Sequence, residues 1–343
     1  MADKRFTHID FLRAVAIVGM IATHVLSYNL GTNVINIIWN YLHFVVPLFV
    51  FCSGYVMYRQ YETITWNPAT LTNWYKRRAV RLILPYYAFT TLHYFLWFLL
   101  PGIVSGLGLS RSPQFMLSSI FLVGVDYGWL PILFLELMFI TPFILSIRKS
   151  RGLSIAVMIA AAASTVFFVF VRPDVDFRLT MWLPWSAILL VSFAAARVDA
   201  QRETKPILYL AIAGTAFAVF AYGYWFLSSL HFPLTLTLHK YPPDIFYLSY
   251  GIGMGSLLIL RERFGIFHAE PVRAVIRWIS SRSYGLFFVH YIVIDIIQTY
   301  ERVHANTFPV WWQLILSLFG SIALIRLYEE GQKKWFTGRH SGK

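Results

Sequence analysis

The sequence predicts an all-α integral membrane protein, a polytopic helical bundle of about ten transmembrane helices with both termini cytoplasmic. Three observations predict it. Hydrophobic residues make up 58% of the chain and charged residues only 13%, against about 25% charged in soluble domains. The apolar residues gather into runs of about 20, the length that crosses a hydrocarbon core. The basic residues gather between those runs, and mostly on one side.

The runs place helices near 9–28, 38–58, 82–100, 129–147, 153–171, 179–196, 206–228, 245–260, 284–300 and 309–327. The sixth, eighth and ninth are short, so tilted or broken spans are expected there. With the N-terminus inside, the inner segments hold 23 Lys and Arg and the outer segments 5. One helix more or fewer would scramble that alternation, so the ratio supports both the orientation and the helix count. The first run follows a polar start at residues 1–8 but has no small-residue cleavage site after it, so it reads as an uncleaved helix. The whole chain, 1–343, reads as a single membrane domain with cytoplasmic tails at 1–8 and 328–343. Two outer segments are long: 101–128, with a short apolar stretch at 115–123 that could be re-entrant, and 229–244. Long loops in a compact fold often carry function.

The net charge of +13 would suggest nucleic acid in a soluble protein. Here the charge sits in short loops between spans, so no nucleic-acid partner is expected and lipid contact is. The single cysteine, Cys52, lies in an apolar run and forms no intramolecular disulfide. No Cys/His metal spacing is present, and no metal is expected.

A charge inside a membrane costs at least about 2.5–3.5 kcal/mol, so each one is a candidate for function. Asp10 and Arg13 open the first run, and His24 follows eleven residues after Arg13. Eleven residues are about three turns and 16 Å, so the two share a face. Arg13 is placed near the inner surface and His24 near the membrane centre. Asp10, three residues before Arg13, is within pairing reach. A snorkelling anchor and an interhelical hydrogen bond are the plainer readings of Arg13 and His24. Glu136 lies about 10 Å into the fourth run and must be paired or protonated there. His290 and Asp295 fall in the ninth run, His290 about 9 Å from its inner end. His43 and His93 read as packing histidines, and Asp126 as a solvated loop carboxylate. Lys76, Arg77, Arg78 and Arg81 form a basic cluster at the inner start of the third run. It is either a lipid anchor or a phosphate site, since arginine forks bind phosphate oxygens bidentately. Ser53 and Gly54 sit in the middle of the second run, where they permit close helix contact or a break that bares backbone groups.

In order along the chain these residues resemble membrane acyltransferase family 3, which acylates sugars and related acceptors. The resemblance rests on Asp10, Leu12, Arg13 and His24; on Val46-Pro47-Leu48-Phe49 leading to Ser53-Gly54-Tyr55; on Arg77, Arg78 and Arg81, with Pro85 one place late; on Trp129 through Glu136; and on Ser283, Tyr284 and His290. It implies an acyl-CoA donor, most often acetyl-CoA, and a hydroxyl acceptor on an envelope glycan or its lipid-linked precursor. It implies a multi-pass protein of the bacterial cytoplasmic membrane. His24 is then the candidate general base, with Glu136 orienting it or binding the acceptor. A covalent acyl-His24 intermediate stays open. Arg13 and Lys76, Arg77, Arg78 and Arg81 are the candidate CoA-phosphate site. Asp10, Ser53, Lys240, Tyr241 and His290 are the candidate substrate residues, Lys240 and Tyr241 forming an outer lip. The rival reading is a secondary transporter or polysaccharide exporter, which would also use intramembrane charges.

Overall fold

The computed structural model describes residues 6–147, 150–200, 206–263 and 269–340, without the side chains of Asp126, Arg263 and residues 335–340. The tail residues 1–5 and 341–343, and Arg148, Lys149, Arg202 and Lys205 of the orientation count, lie outside them. Among the described residues the chain is helical with no strand.

The helices are α1 (Thr7–Ser27), α2 (Asn33–Tyr41), α3 (Val45–Tyr61), α4 (Pro68–Leu99), α5 (Pro113–Ile120), α6 (Trp129–Ile147), α7 (Arg151–Phe170), α8 (Trp182–Ala200), α9 (Pro206–Ser229), α10 (Ile245–Arg263), α11 (Glu270–His304) and α12 (Val310–His340). Among the described residues eight stretches are long and apolar enough to cross a membrane, one of them the continuous Asn33–Tyr61. The eighth and ninth expected spans correspond to α10 and α11, which carry more polar residues and pack against the centre of the bundle.

Local chemistry sets the starts. Asn67 caps α4 by accepting from Thr70 N at 2.8 Å, with Pro68 in the first turn. Ser112 and Pro113 do the same for α5. The helices that differ most from expectation are α4 and α11. α4 begins at Pro68, so the basic cluster lies within a continuous 32-residue helix rather than before one. α11 runs for 35 residues and begins at Glu270, fourteen residues before the apolar run. Its first turns are charged, and hydropathy alone cannot see them. α8 and α10 have 19 residues each, enough to span without a break. The 115–123 stretch forms only the eight-residue α5 and a turn.

α1 is central. About 67% of its apolar window is buried, against 17% for α9 and for α12. It packs against α3, α11, α12 and α10. The peripheral helices present large apolar side chains outward: Phe139, Ile159, Trp225 and Phe319 are each more than 60% exposed. Water would oppose that surface, and lipid accepts it. α3 is unbroken at Ser53-Gly54. Gly54 lies against α8, where an added Cβ would sit 2.0 Å from Ser192 Oγ. Close helix contact is the use made of this glycine.

Candidate active site

α1 carries Arg13 in its second turn and His24 in its last. His24 is therefore nearer the end of its helix than the membrane centre expected for it. His290 is also displaced from expectation. It lies twenty residues into α11, about 30 Å from that helix's start. The added turns of α11 carry it away from the inner face and up to His24.

The two histidines meet. His24 Nδ1 is 2.6 Å from His290 Nε2, and the rings are nearly parallel with centroids 4.9 Å apart. His290 is fully buried, and its Nδ1–H donates to the Leu286 carbonyl oxygen at 3.0 Å. That leaves His290 Nε2 as an acceptor, so His24 Nδ1–H donates to it. The proton-free nitrogen of His24 is then Nε2. Tyr291 Oη lies 3.3 Å from that nitrogen. The network assigns one tautomer to both rings and aims the basic nitrogen of His24 away from His290.

Lys240 and His43 lie within electrostatic range of His24. Lys240 follows a short helical turn over Leu236–His239 and is only 7% exposed. Its ammonium stands 4.5 Å from the Trp129 ring centroid and 4.8 Å from that of Tyr241. Among the described residues it has no carboxylate partner. Among the described side chains, the ring faces of Trp129 and Tyr241 hold the cation. Burial pulls the Lys240 ammonium down to about 7. The loop behind it is tied by Asp244, which accepts from Arg172 Nη2 at 2.8 Å and from Tyr247 N at 3.1 Å. His43 Nδ1–H donates to the carbonyl oxygen of Trp39 at 2.8 Å.

Glu136 is on α6, half-buried, and no hydrogen bond joins it to His24 among the described residues. Its Oε2 is buried and unpartnered. Both nitrogens of His24 already have neighbours, so His290 and Tyr291 occupy the orienting positions considered for Glu136. Asp10 is buried and accepts from Ser280 Oγ on α11 at 2.6 Å. Ser53 is half-buried on α3, beside the Gly54 contact.

At the other end of α1, Arg13 is half-buried, and Arg81 feels the charges of both Arg78 and Arg13. The Arg78 guanidinium stacks 5.3 Å from the Tyr61 centroid and 5.4 Å from that of Trp74. Lys76 and Arg77 point to the exposed side of α4. Arg13 on α1 and Arg78 on α4 thus both lie within electrostatic range of the exposed Arg81, and like charges brought near one another favour an anion among them.

Asp295 belongs to a separate construction. It is fully buried and accepts from Ser105 N and Oγ, Gly106 N, Leu107 N, and His93 Nε2 at 2.9 Å. These bonds dock the 101–112 segment on α11. Gly106 has φ +75°, and an added Cβ would enter the Trp97 ring.

Sequence reasoning missed Tyr291 and Trp129 as parts of the site. Tyr291 adjoins His290, but adjacent helical residues point about 100° apart, so spacing gave no sign that both reach one imidazole.

The chain matches the family model described as an acyltransferase domain over residues 6–328. No curated protein and no solved structure matches it. A match over that span covers nearly every element described above, and the chain belongs to membrane acyltransferase family 3.

Proposed function

We propose that this membrane acyltransferase moves an acyl group, most simply acetyl, from cytoplasmic acyl-CoA to a hydroxyl of an extracytoplasmic or lipid-linked saccharide. The observation that carries the reading is the pair of sites on one helix: a group of arginines around Arg13 and an oriented imidazole at His24, about 16 Å further along α1.

The chemistry follows from that polarity. Arg13, Arg78 and Arg81 bind the CoA phosphates, with Lys76 and Arg77 adding charge from the exposed side of α4. The thin pantetheine arm runs along α1 and delivers the thioester to His24. The acceptor hydroxyl arrives from the Lys240 side. Its oxygen attacks the thioester carbonyl while His24 Nε2 takes the hydroxyl proton. The C–S bond then breaks, and the imidazolium returns the proton to the leaving sulfur. The products are an ester and free CoA thiol. His290 holds the tautomer, and Glu136 is left to accept a hydrogen bond from the acceptor. The family membership sets aside the transporter reading, for which no observation speaks.

His24→Ala is expected to lower acyl transfer by at least about 10²-fold, the usual share of a general base, with CoA binding unchanged. Arg13→Ala is expected to weaken CoA binding about tenfold or more, the scale of one lost charge-assisted contact. Purified protein, radiolabelled acetyl-CoA and an extracted envelope glycan supply the assay, and calorimetry supplies the CoA affinity. Near-normal turnover in His24→Ala would remove His24 from the mechanism.

A further inference from the structure

At the His24 end of the bundle a cavity of about 470 Å³ lies between the 172–180 connection and the Tyr241-Pro242 turn. That volume is in the range of small-ligand sites. Its walls are preformed by two arginines. Arg172 donates to the Pro242 carbonyl oxygen at 2.6 Å and to Asp244 at 2.8 Å, fixing the turn. Arg178 donates to the Val123 carbonyl oxygen at 3.0 Å and to Asp176 at 3.3 Å, fixing the 172–180 connection.

Two features, in the lining and in the layer behind Tyr241, point to a ligand. The first is aromatic. Phe177 and Tyr241 pack with centroids 4.7 Å apart, and Trp129 meets Tyr241 edge-on at 5.1 Å. An apolar ring face in a polar cavity suits the C–H face of a pyranose, whose hydroxyls turn to the polar groups beside it. The second is cationic. Among the described residues Arg178 Nε is buried in the wall with no hydrogen-bond partner, although the same guanidinium pairs through Nη1 with Asp176, a carboxylate that also lines the cavity. Lys240 does not line the cavity; it stands behind lining Tyr241, its ammonium buried against ring faces with no carboxylate partner among the described residues. An unpaired buried cation and an orphaned guanidinium N–H are both costly unless something negative arrives.

We propose that this cavity is the acceptor subsite and that it selects saccharides bearing an anionic group, a carboxylate or phosphate ester, with the sugar ring on Tyr241 and Phe177, the anion on Arg178, and Lys240 adding positive charge from behind Tyr241. This rests on the acyl-transfer reading and names its acceptor class. The low position of the Lys240 ammonium agrees with an anion-linked site. An arriving anion stabilises the protonated amine, so affinity is present below pH 7 and falls as pH rises past it. The titratable groups that share its surroundings are His24, His43 and Tyr241.

The test is binding to the full chain in lipid nanodiscs, followed by tryptophan fluorescence and calorimetry. The probes are oligosaccharides of one length ending in glucuronate, in a sugar phosphate or in neutral glucose. At pH 6.5 at least one acidic probe is expected to bind about tenfold tighter than the neutral one, a preference lost in Lys240→Met and reduced by pH 8.5. Tyr241→Ala is expected to weaken all three probes, and Tyr241→Phe to retain them. CoA affinity serves as the folding control for each variant. The wild-type comparison of probes stands without any variant. Equal affinity for acidic and neutral probes, or binding of neither, overturns the proposal. Tight binding of an acidic probe that is never acylated by acyl-CoA would leave this inference standing and sink the acyl-transfer reading instead.

Discussion

A histidine acts as a base through whichever nitrogen its neighbours leave without a proton. For His24 that choice is made two residues deep in a chain of bonds: the Leu286 carbonyl fixes His290, and His290 fixes His24. His290 is thus a positioning residue. His290→Ala removes the acceptor for His24 Nδ1–H, while His290→Gln keeps an amide oxygen that can accept from it. The expected result is a fall in kcat of about 10²-fold for His290→Ala, with partial recovery in His290→Gln and little change in either KM. A raised acceptor KM at unchanged kcat would place His290 in binding instead. Arg13, His24 and His290 stand out in the sequence because a membrane has few places for them. Their partners do not. Nothing in the spacing of Leu286, His290 and Tyr291 says which atoms meet.

At the scale of elements, α11 does two jobs. One face of it orients His24, and five residues after His290, Asp295 gathers the 101–112 segment by its backbone N–H groups. Asp295→Ala would leave those donors and His93 buried without an acceptor. The expected cost is about 3–5 kcal/mol, read as a lowered Tm in detergent and faster hydrogen exchange at residues 105–107. An unchanged Tm would show that the segment is held by other contacts. The length of α11 was not legible in the sequence. Its first turns contain Arg273, Arg277 and Arg282, which read as a loop by hydropathy. In the helix Arg277 pairs with Glu270 two turns earlier, and Arg282 pairs with Glu329 on α12 at 2.6 Å. Gly54 is the converse case. Its place in α3 is plain from sequence, and only its contact with Ser192 on α8 shows why a side chain is excluded.

At the scale of the molecule, the proposal needs the two ends of α1 to face different compartments. Cys52 is fully buried, so the native thiol is silent to bulky reagents and single cysteines can report the sides. Leu238→Cys, on the Lys240 loop, is expected to react with a membrane-impermeant maleimide in intact cells. Thr72→Cys, near the basic cluster on α4, is expected to react only after the membrane is opened. Reaction of both from outside would invert or break the orientation read from the Lys and Arg distribution. The exposed apolar side chains of α7, α9 and α12 fit the same picture, since among the described residues they face outward from the bundle.

The sequence by itself determined the class of fold, the positions of the apolar runs but not the full lengths of α4, α11 and α12, and the identity of the intramembrane charges. Each of these is set by the chain's own transfer free energy between water and lipid, and that quantity is local. The tertiary structure alone decided the partners: His24 with His290 and Tyr291, Asp10 with Ser280, Lys240 with the rings of Trp129 and Tyr241. These contacts join residues up to 270 positions apart. Helix rotation and packing bring them together, and no periodicity within one helix records where its neighbour turns.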